Sequence, residues 1–354
     1  MVVKDYAMEL KARGHDIAVM LYETDSSWPY EKIVRDAGIP IFRVGFNPTY
    51  NVFLRIIRKI FGKQIIRRRA IRFIKTFKPD VIHTHLDLIT VICKIRHKLE
   101  GIKLVYTCHS EPEKNFGENE LEAARKLCAE NRLTVIALHM IMAEKIKALL
   151  FTDNVIILNN PVDVDRFKQT EKQNSEVKKK IGIPENAYVV GHVGRFVPLK
   201  NHEFLVKVFN EAIKKKPEAF LLMIGNGEKE ELKKTENLLC SLELRDKCLI
   251  LKDRTDMPEL YSAMDVFVFP SRYEGLSIAL LEAQSADLKC VVSDTVSSES
   301  YLTKKIVALP LSAPVKTWAN AVISDDVVFA EPCGNLSDYD IDNVIKKLLD
   351  IYKA

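Results

Sequence analysis

The chain has 354 residues, of which 47% are apolar and 29% charged, with a formal net charge of +5. At about 100–200 residues per domain this predicts two domains, each with enough apolar material for a core, as in globular proteins generally. No apolar run approaches the ~20 residues of a membrane-spanning helix. The opening Met-Val-Val-Lys-Asp-Tyr lacks the charged start, apolar core and cleavage site of a signal peptide. The seven cysteines, Cys93, Cys108, Cys128, Cys240, Cys248, Cys290 and Cys333, form no C-x-x-C pair. Most stand in apolar surroundings, which points to a reducing compartment and against a disulfide frame or a zinc site.

In chain order, short apolar strands alternate with amphipathic helices, the pattern of an α/β architecture with parallel sheets. A helix from Asp5 to Arg13 ends at Gly14. Strands follow at His15–Tyr22, Pro40–Val44, Val81–His85, Leu104–Cys108, Thr134–Ala137 and Val155–Leu158. A second series runs Tyr188–Val193, Phe220–Ile224, Cys248–Leu251, Val266–Phe269, Cys290–Ser293 and Ile306–Ala308. Between the series, Asn159-Asn160-Pro161-Val162-Asp163 and a Lys-rich polar stretch mark a break. The expected domains are 1–165, 166–335 and a final helical segment, 336–354, packing back on the first domain. Two consecutive open sheets leave a cleft, and ligands of such sheets sit at the carboxyl ends of the strands. A Rossmann-like domain starts with a strand and a glycine turn, yet this chain starts with the helix that should follow them. The expectation is a first sheet without its central strand, and backbone groups there without ladder partners.

The strongest motif is Phe269-Pro270-Ser271-Arg272-Tyr273-Glu274-Gly275-Leu276-Ser277, leading into a helix that carries Glu282. The spacing puts Glu274 on the loop and Glu282 on the helix, facing one cleft. The N–H groups of Gly275, Leu276 and Ser277 leave a helix N-terminus, an arrangement suited to an anion, and Gly275 permits close approach. Singly, Glu274 reads as a helix-dipole charge and Glu282 as a solvated residue. Together they read as two hydroxyl acceptors flanking a phosphate cradle. A second motif, Gly194-Arg195-Phe196-Val197-Pro198-Leu199-Lys200-Asn201-His202, follows the first strand of the second series. Arg195 can hold phosphate oxygens in its fork and Lys200 adds a point charge. Cations beside a helix start oppose the dipole, so a merely surface role is disfavoured. Ile224-Gly225-Asn226-Gly227-Glu228 lacks the third glycine of a dinucleotide fingerprint, residue 230 being Glu, and reads as a close-approach turn lining the pocket.

In the first half, His83 and His85 end one strand and His109 ends another. His83 reads as a core histidine and His109 as the better ligand-facing candidate. Their spacing does not match a metal site, so no metal is expected. Residues 55–78 contain ten Lys/Arg and no acid, with apolar residues at helical spacing. A basic amphipathic helix of this kind reads as an element for an anionic membrane surface. The alternative is a core-packed stripe with solvated cations. Nucleic-acid binding is not expected, because no recognition module accompanies the charge.

These motifs resemble those of the large retaining glycosyltransferase family 4, of GT-B architecture, and specifically its bacterial capsular and exopolysaccharide members. The resemblance rests on Val193-Gly194-Arg195 with Lys200-Asn201-His202, on Gly225-Asn226-Gly227-Glu228, and on Glu274 to Glu282. Asn159-Asn160-Pro161-Val162-Asp163 with Arg166-Phe167 resembles the family's interdomain segment, and Gly14-His15 the end of its first helix. The resemblance implies two facing Rossmann-like domains, an acceptor-side first domain and a nucleotide-sugar-binding second one. It implies that Glu274 contacts donor-sugar hydroxyls and Glu282 the ribose. Arg195 and Lys200 would hold the diphosphate, with Asn226 in the pocket wall, Arg254 in the base-binding loop and His109 near the reacting sugar. No cofactor or metal is implied, the cations taking its place. The reaction would retain the anomeric configuration, the departing diphosphate assisting acceptor deprotonation. Implied partners are a nucleotide sugar, UDP on family frequency, and a lipid-linked or glycan acceptor. The location implied is cytoplasmic and peripheral, on the inner face of the plasma membrane. Asp287 and Lys289 stand where small residues, Gly and Pro follow in the family, and Lys252 replaces a glycine before Arg254. A non-catalytic relative and a membrane- or nucleic-acid-binding module stay open as alternatives.

Overall fold

A computed structural model of the protein describes residues 2–22, 30–45, 52–86, 88–109, 111–116, 118–168 and 171–354. The chain divides into two compact units, one of residues 1–161 with 342–354, the other of residues 162–341. The division falls at Pro161/Val162, four residues before the expected 165/166. The reason is local. Val162 packs in the core of the second unit, and its N–H and C=O bond Tyr339 O and Ile341 N at 2.8 and 3.0 Å. Outgoing and returning strands of chain therefore meet as one pair inside the second unit.

The first unit runs α1 (Val2–Ala12), β1 (Val19–Leu21), α2 (Glu31–Asp36), β2 (Ile41–Arg43), α3 (Val52–Phe77), β3 (Val81–His85), α4 (Leu88–Ile95), β4 (Lys103–Thr107), α5 (Glu118–Ala129), β5 (Leu133–Ala137), α6 (Met140–Leu150) and β6 (Val155–Ile157). Gly14 ends α1 with φ +86°. Only glycine adopts that conformation without strain. All strand pairs are parallel, but they form two sheets, β1-β2 and β3-β4-β5-β6. Within each of these sheets the described strands follow chain order. Tyr6 of α1 is buried and lies against the rings of His83 and His85, with centroids 5.8 and 6.0 Å away.

The second unit runs α7 (Val164–Phe167), α8 (Glu171–Lys180), β7 (Tyr188–Val193), α9 (His202–Ile213), β8 (Ala219–Ile224), α10 (Lys229–Ser241), β9 (Cys248–Leu251), α11 (Met257–Ser262), β10 (Val266–Phe269), α12 (Ile278–Ser285), β11 (Lys289–Ser293), β12 (Ile306–Leu309) and α13 (Val315–Ile323). Its six parallel strands are ordered β12-β11-β10-β7-β8-β9. Alternate side chains serve two cores, as strand geometry requires. Phe267, Phe269, Leu222 and Ile224 join α7, α11 and α12 on one face. Val266, Val268, Leu221 and Met223 join α9, α10 and α13 on the other. The last helix, α14 (Ile341–Lys353), buries Val344, Ile345, Leu348 and Ile351 and belongs to the first unit from residue 342 onward. Arg13 of α1 pairs with Asp342, and Tyr352 Oη lies 2.7 Å from His83 Nδ1.

Candidate functional site

In a doubly wound sheet the strand order reverses at one point, here between β7 and β10, and loops leaving the two strands diverge there. Because β10, β7, β8 and β9 are parallel neighbours, the loops after them share one sheet edge. Those loops carry Gly275, Gly194, Asn226 and Arg254 respectively. Residues spread over eighty positions of sequence are thus brought to one edge by topology alone.

The loop after β7 and the loop after β8 are in direct contact. Phe196 N–H donates to Asn226 O at 2.7 Å, and Glu228 N–H donates to Phe196 O at 2.8 Å. A Cβ on Gly225 would stand 2.0 Å from Gly194 O, and one on Gly227 would stand 2.4 Å from Phe196 N and O. The two glycines therefore exist to let two backbones touch. Asn226 extends from this junction and donates to Asp253 Oδ1 at 2.6 Å.

Lys200 lies in the short 3₁₀ turn Pro198–Lys200, and α9 starts two residues later at His202. The expectation of Lys200 at a helix start is corrected to a turn just before it. Its ammonium bonds Glu274 Oε2 at 2.5 Å and stands 4.5 Å from the centre of the buried Phe269 ring. The two residues assigned to different parts of a ligand are each other's partner across the switch point. Arg195 is exposed and makes no ion pair among the described residues. Arg254 is clamped by Asp256, Nε to Oδ1 at 2.8 Å with a second bond from Nη2 to Oδ2. That pairing holds the Asp256 carboxyl below its usual range.

Ser277 is the N-cap of α12 with no side-chain capping bond, so the first-turn N–H groups of the helix extend past it. Leu276 is half-buried against the core. Glu282 lies on α12 and is only 3% exposed, which corrects the solvated-residue alternative. The loop itself is held from behind by residues that sequence reasoning passed over. Ser297 N–H donates to Glu274 O, Ser300 Oγ to Gly275 O and Thr295 Oγ1 to Ser271 O, all at 2.9 Å. Gln284 accepts from Leu302 N–H at 2.7 Å. The signal was the polar run Ser293–Ser300, an unusual density of short hydroxyl side chains after a buried strand. Arg272 was also missed. Its N–H donates to Leu199 O at 2.8 Å, and its guanidinium reaches Pro198 O and Asn201 Oδ1 at 3.3 and 3.2 Å.

In the first unit, His85 ends β3 and His109 lies two residues past the end of the neighbouring β4, and His85 Nδ1 lies 2.8 Å from His109 Nε2. Burial pushes His109 down to about 4, so the ring is neutral at pH 7. His83 contacts Thr107 Oγ1 at 2.7 Å besides Tyr352, and burial pushes it down to about 3. It is a satisfied interior histidine. On α3, Ile66, Ala70 and Ile74 are buried while Lys63, Arg68, Arg72 and Lys75 are exposed. The side chains of residues 52–60, Arg55, Arg58 and Lys59 among them, lie outside the described residues.

Residues 1–166 match the family profile described as Glycosyltransferase Family 4, and residues 173–319 match that described as Glycosyl transferases group 1. An Escherichia coli UDP-Gal:alpha-D-GlcNAc-diphosphoundecaprenol alpha-1,3-galactosyltransferase is 26% identical over 299 residues, which cover 79% of this chain and 77% of that protein. The Bacillus subtilis glycosyltransferase EpsF is 30% identical over 260 residues, covering 69% of this chain and 65% of EpsF. Among solved structures, Anabaena HepE, in complex with UDP and glucose, superposes with a TM-score of 0.75 at 16% identity, covering 100% of this chain and 95% of that one. With both halves matched and the parallel sheets those structures share, the chain belongs to glycosyltransferase family 4, has the GT-B fold and is a glycosyltransferase.

Proposed function

We propose that this protein moves a hexose from a nucleotide sugar, a UDP-sugar, to a lipid-linked or glycan acceptor in surface polysaccharide synthesis, with retention of anomeric configuration. The observation that carries the reading is the convergence of Arg195, Lys200, Glu274 and the start of α12 at the switch point of one parallel sheet. Arg195, Lys200 and the N–H groups of Gly275, Leu276 and Ser277, just before α12, meet the diphosphate, and stabilise its charge as the sugar departs. No metal is required in this reading, because two cations and a helix start supply positive potential. Glu274 accepts bonds from sugar hydroxyls and Glu282 from the ribose. Asn226 and Arg254 line the pocket and the base. His109, neutral through burial, offers a hydrogen bond near the reacting sugar without adding charge. The acceptor proton leaves with the help of the departing diphosphate. The activity named for the E. coli relative and the UDP and glucose bound by HepE support the donor class.

Thermal unfolding with UDP, GDP and ADP is the first test. A nucleotide at about 100 times its dissociation constant adds about 2.7 kcal/mol. One of the three raises the melting temperature by a few degrees, and Arg195→Ala removes the rise. No shift with any nucleotide sinks the donor-pocket reading. Turnover of labelled sugar nucleotide onto a lipid-linked acceptor then falls to background in Glu274→Ala.

A second element of the reading is attachment to the cytoplasmic face of the membrane through α3. It is favoured by the division of that helix into a buried stripe at Ile66, Ala70 and Ile74 and an exposed cationic face. Each cation near an anionic leaflet contributes about 1 kcal/mol. Co-sedimentation with phosphatidylserine vesicles at physiological salt tests it. Loss of binding in Arg68→Glu with Arg72→Glu is expected. Equal pelleting with neutral vesicles refutes the electrostatic part, and retention by duplex DNA instead favours a nucleic-acid partner.

A further inference from the structure

We propose that Glu274 is a built-in competitor for the diphosphate at Lys200, so that the site keeps a nucleotide sugar and releases the spent nucleoside diphosphate. The proposal rests on the reading of this site as a donor pocket.

The Lys200 ammonium is engaged before any ligand arrives. It bonds Glu274 Oε2 at 2.5 Å and sits 4.5 Å from the Phe269 ring centre. The two side chains are only 13% and 20% exposed, so solvent screens the pair less than an open surface pair. Both backbones are fixed. Arg272 ties the Lys200 turn to the Glu274 loop through Leu199 O, Pro198 O and Asn201 Oδ1. Ser297 and Ser300 hold the Glu274 loop from the other side. The pair therefore re-forms in place whenever the site empties. Arg195, exposed and without an ion pair among the described residues, has no such internal anion. One cation of the site answers to the ligand alone, and the other answers to ligand and Glu274 together.

The consequence follows from charge. In a nucleotide sugar the terminal phosphate is esterified and carries a single negative charge, and the sugar presents hydroxyl donors to Glu274. Transfer bonds the anomeric carbon to the acceptor oxygen and breaks its bond to the phosphate oxygen. The electron pair stays on that phosphate oxygen, and the acceptor proton passes through it to water. The product phosphate now ionises a second time, with a pKa near 6. Glu274 has lost its hydroxyl partners and faces one more negative charge. Repulsion of the product and recapture of Lys200 then act in the same direction. A carboxylate that favours the donor by its hydroxyls thus disfavours the product by its charge.

The test measures dissociation constants by calorimetry at pH 8, with the full chain and with UDP, GDP, ADP and their glucose conjugates. The proteins are wild type, Glu274→Gln, Lys200→Gln and the double variant. Glu274→Gln is expected to bind the preferred nucleoside diphosphate about tenfold more tightly, a change of about 1.4 kcal/mol. Its preference for the sugar conjugate over the diphosphate falls by at least the same factor. Lys200→Gln weakens the diphosphate, and in that background the gain from Glu274→Gln shrinks. Unchanged or weaker diphosphate binding by Glu274→Gln overturns the proposal and leaves the donor pocket standing. Failure of all three nucleotides to bind wild type and Glu274→Gln overturns the pocket reading, and the proposal with it.

Discussion

Burial sets the charge of the histidines beside both candidate regions. His202, stacked on Phe196 with ring centres 4.2 Å apart, is pushed down to about 4 by burial, with Lys200 adding to the effect. Its unfolded value is near 6.5. Between those values the unfolded chain takes up a proton that the folded chain refuses, so stability rises with pH across that window. The contribution is complete above pH 6.5 and is lost as pH falls toward 4. His202→Phe keeps the stack and removes the titration. Denaturant unfolding at pH 7 and pH 4.5 is expected to show the variant losing less stability on acidification than wild type, by on the order of 2–3 kcal/mol. Equal losses refute burial of His202 as a cause of acid sensitivity. At this scale, the sequence picked out His109 by its place after a strand, Lys200 by its place beside a helix start and Arg254 by family resemblance. Their partners His85, Asp256 and Glu274 depended on side-chain reach, which position does not encode.

Among elements, the crossing of the loops after β7 and β8 is the least tolerant feature. Gly225→Ala would drive a Cβ to 2.0 Å from Gly194 O, a backbone atom that cannot rotate aside. Overpacking of this kind costs about 1–3 kcal/mol, and it displaces Arg195 as well. The variant is expected to melt several degrees lower and to lose nucleotide binding, whereas Gly182→Ala is expected to lower the melting temperature through its φ of +82° alone and to spare binding. The G-x-G pair was legible in the sequence as a close approach, and the structure identifies what approaches. The backing of the Glu274 loop by Thr295, Ser297 and Ser300 was not legible. Their connection runs over twenty residues of separation, and a serine-rich stretch reads locally as an ordinary loop. Ser300→Ala removes one part-buried bond to Gly275 O, at about 1 kcal/mol.

For the whole molecule, the last helix completes the first unit from the far end of the sequence. α14 buries Val344, Ile345, Leu348 and Ile351, and it counts with the first unit although it ends the chain. Deletion of 342–354 strips four aliphatic side chains of their packing, at about 2 kcal/mol or more each. Hydrogen exchange is expected to show protection falling across β3 to β6 while β7 to β10 keep theirs. Loss confined to the second unit would refute this assignment of α14. The second unit carries two cores of its own, on the two faces of a six-stranded sheet. That is why its protection does not require the helix.

The sequence by itself determined the twelve strands found among the described residues, the break between two α/β units and the motif loops proposed as the site. Each of these is written in short-range apolar periodicity and in turn residues whose backbone demands are local. Only the tertiary structure decided which strand neighbours which, and hence that the loops after β10, β7, β8 and β9 meet at one edge. It also decided that Lys200 is matched to Glu274 and that Glu282 is buried. These are contacts between residues far apart in sequence. Their energy comes from burial and charge pairing in three dimensions, which no local window of the chain contains.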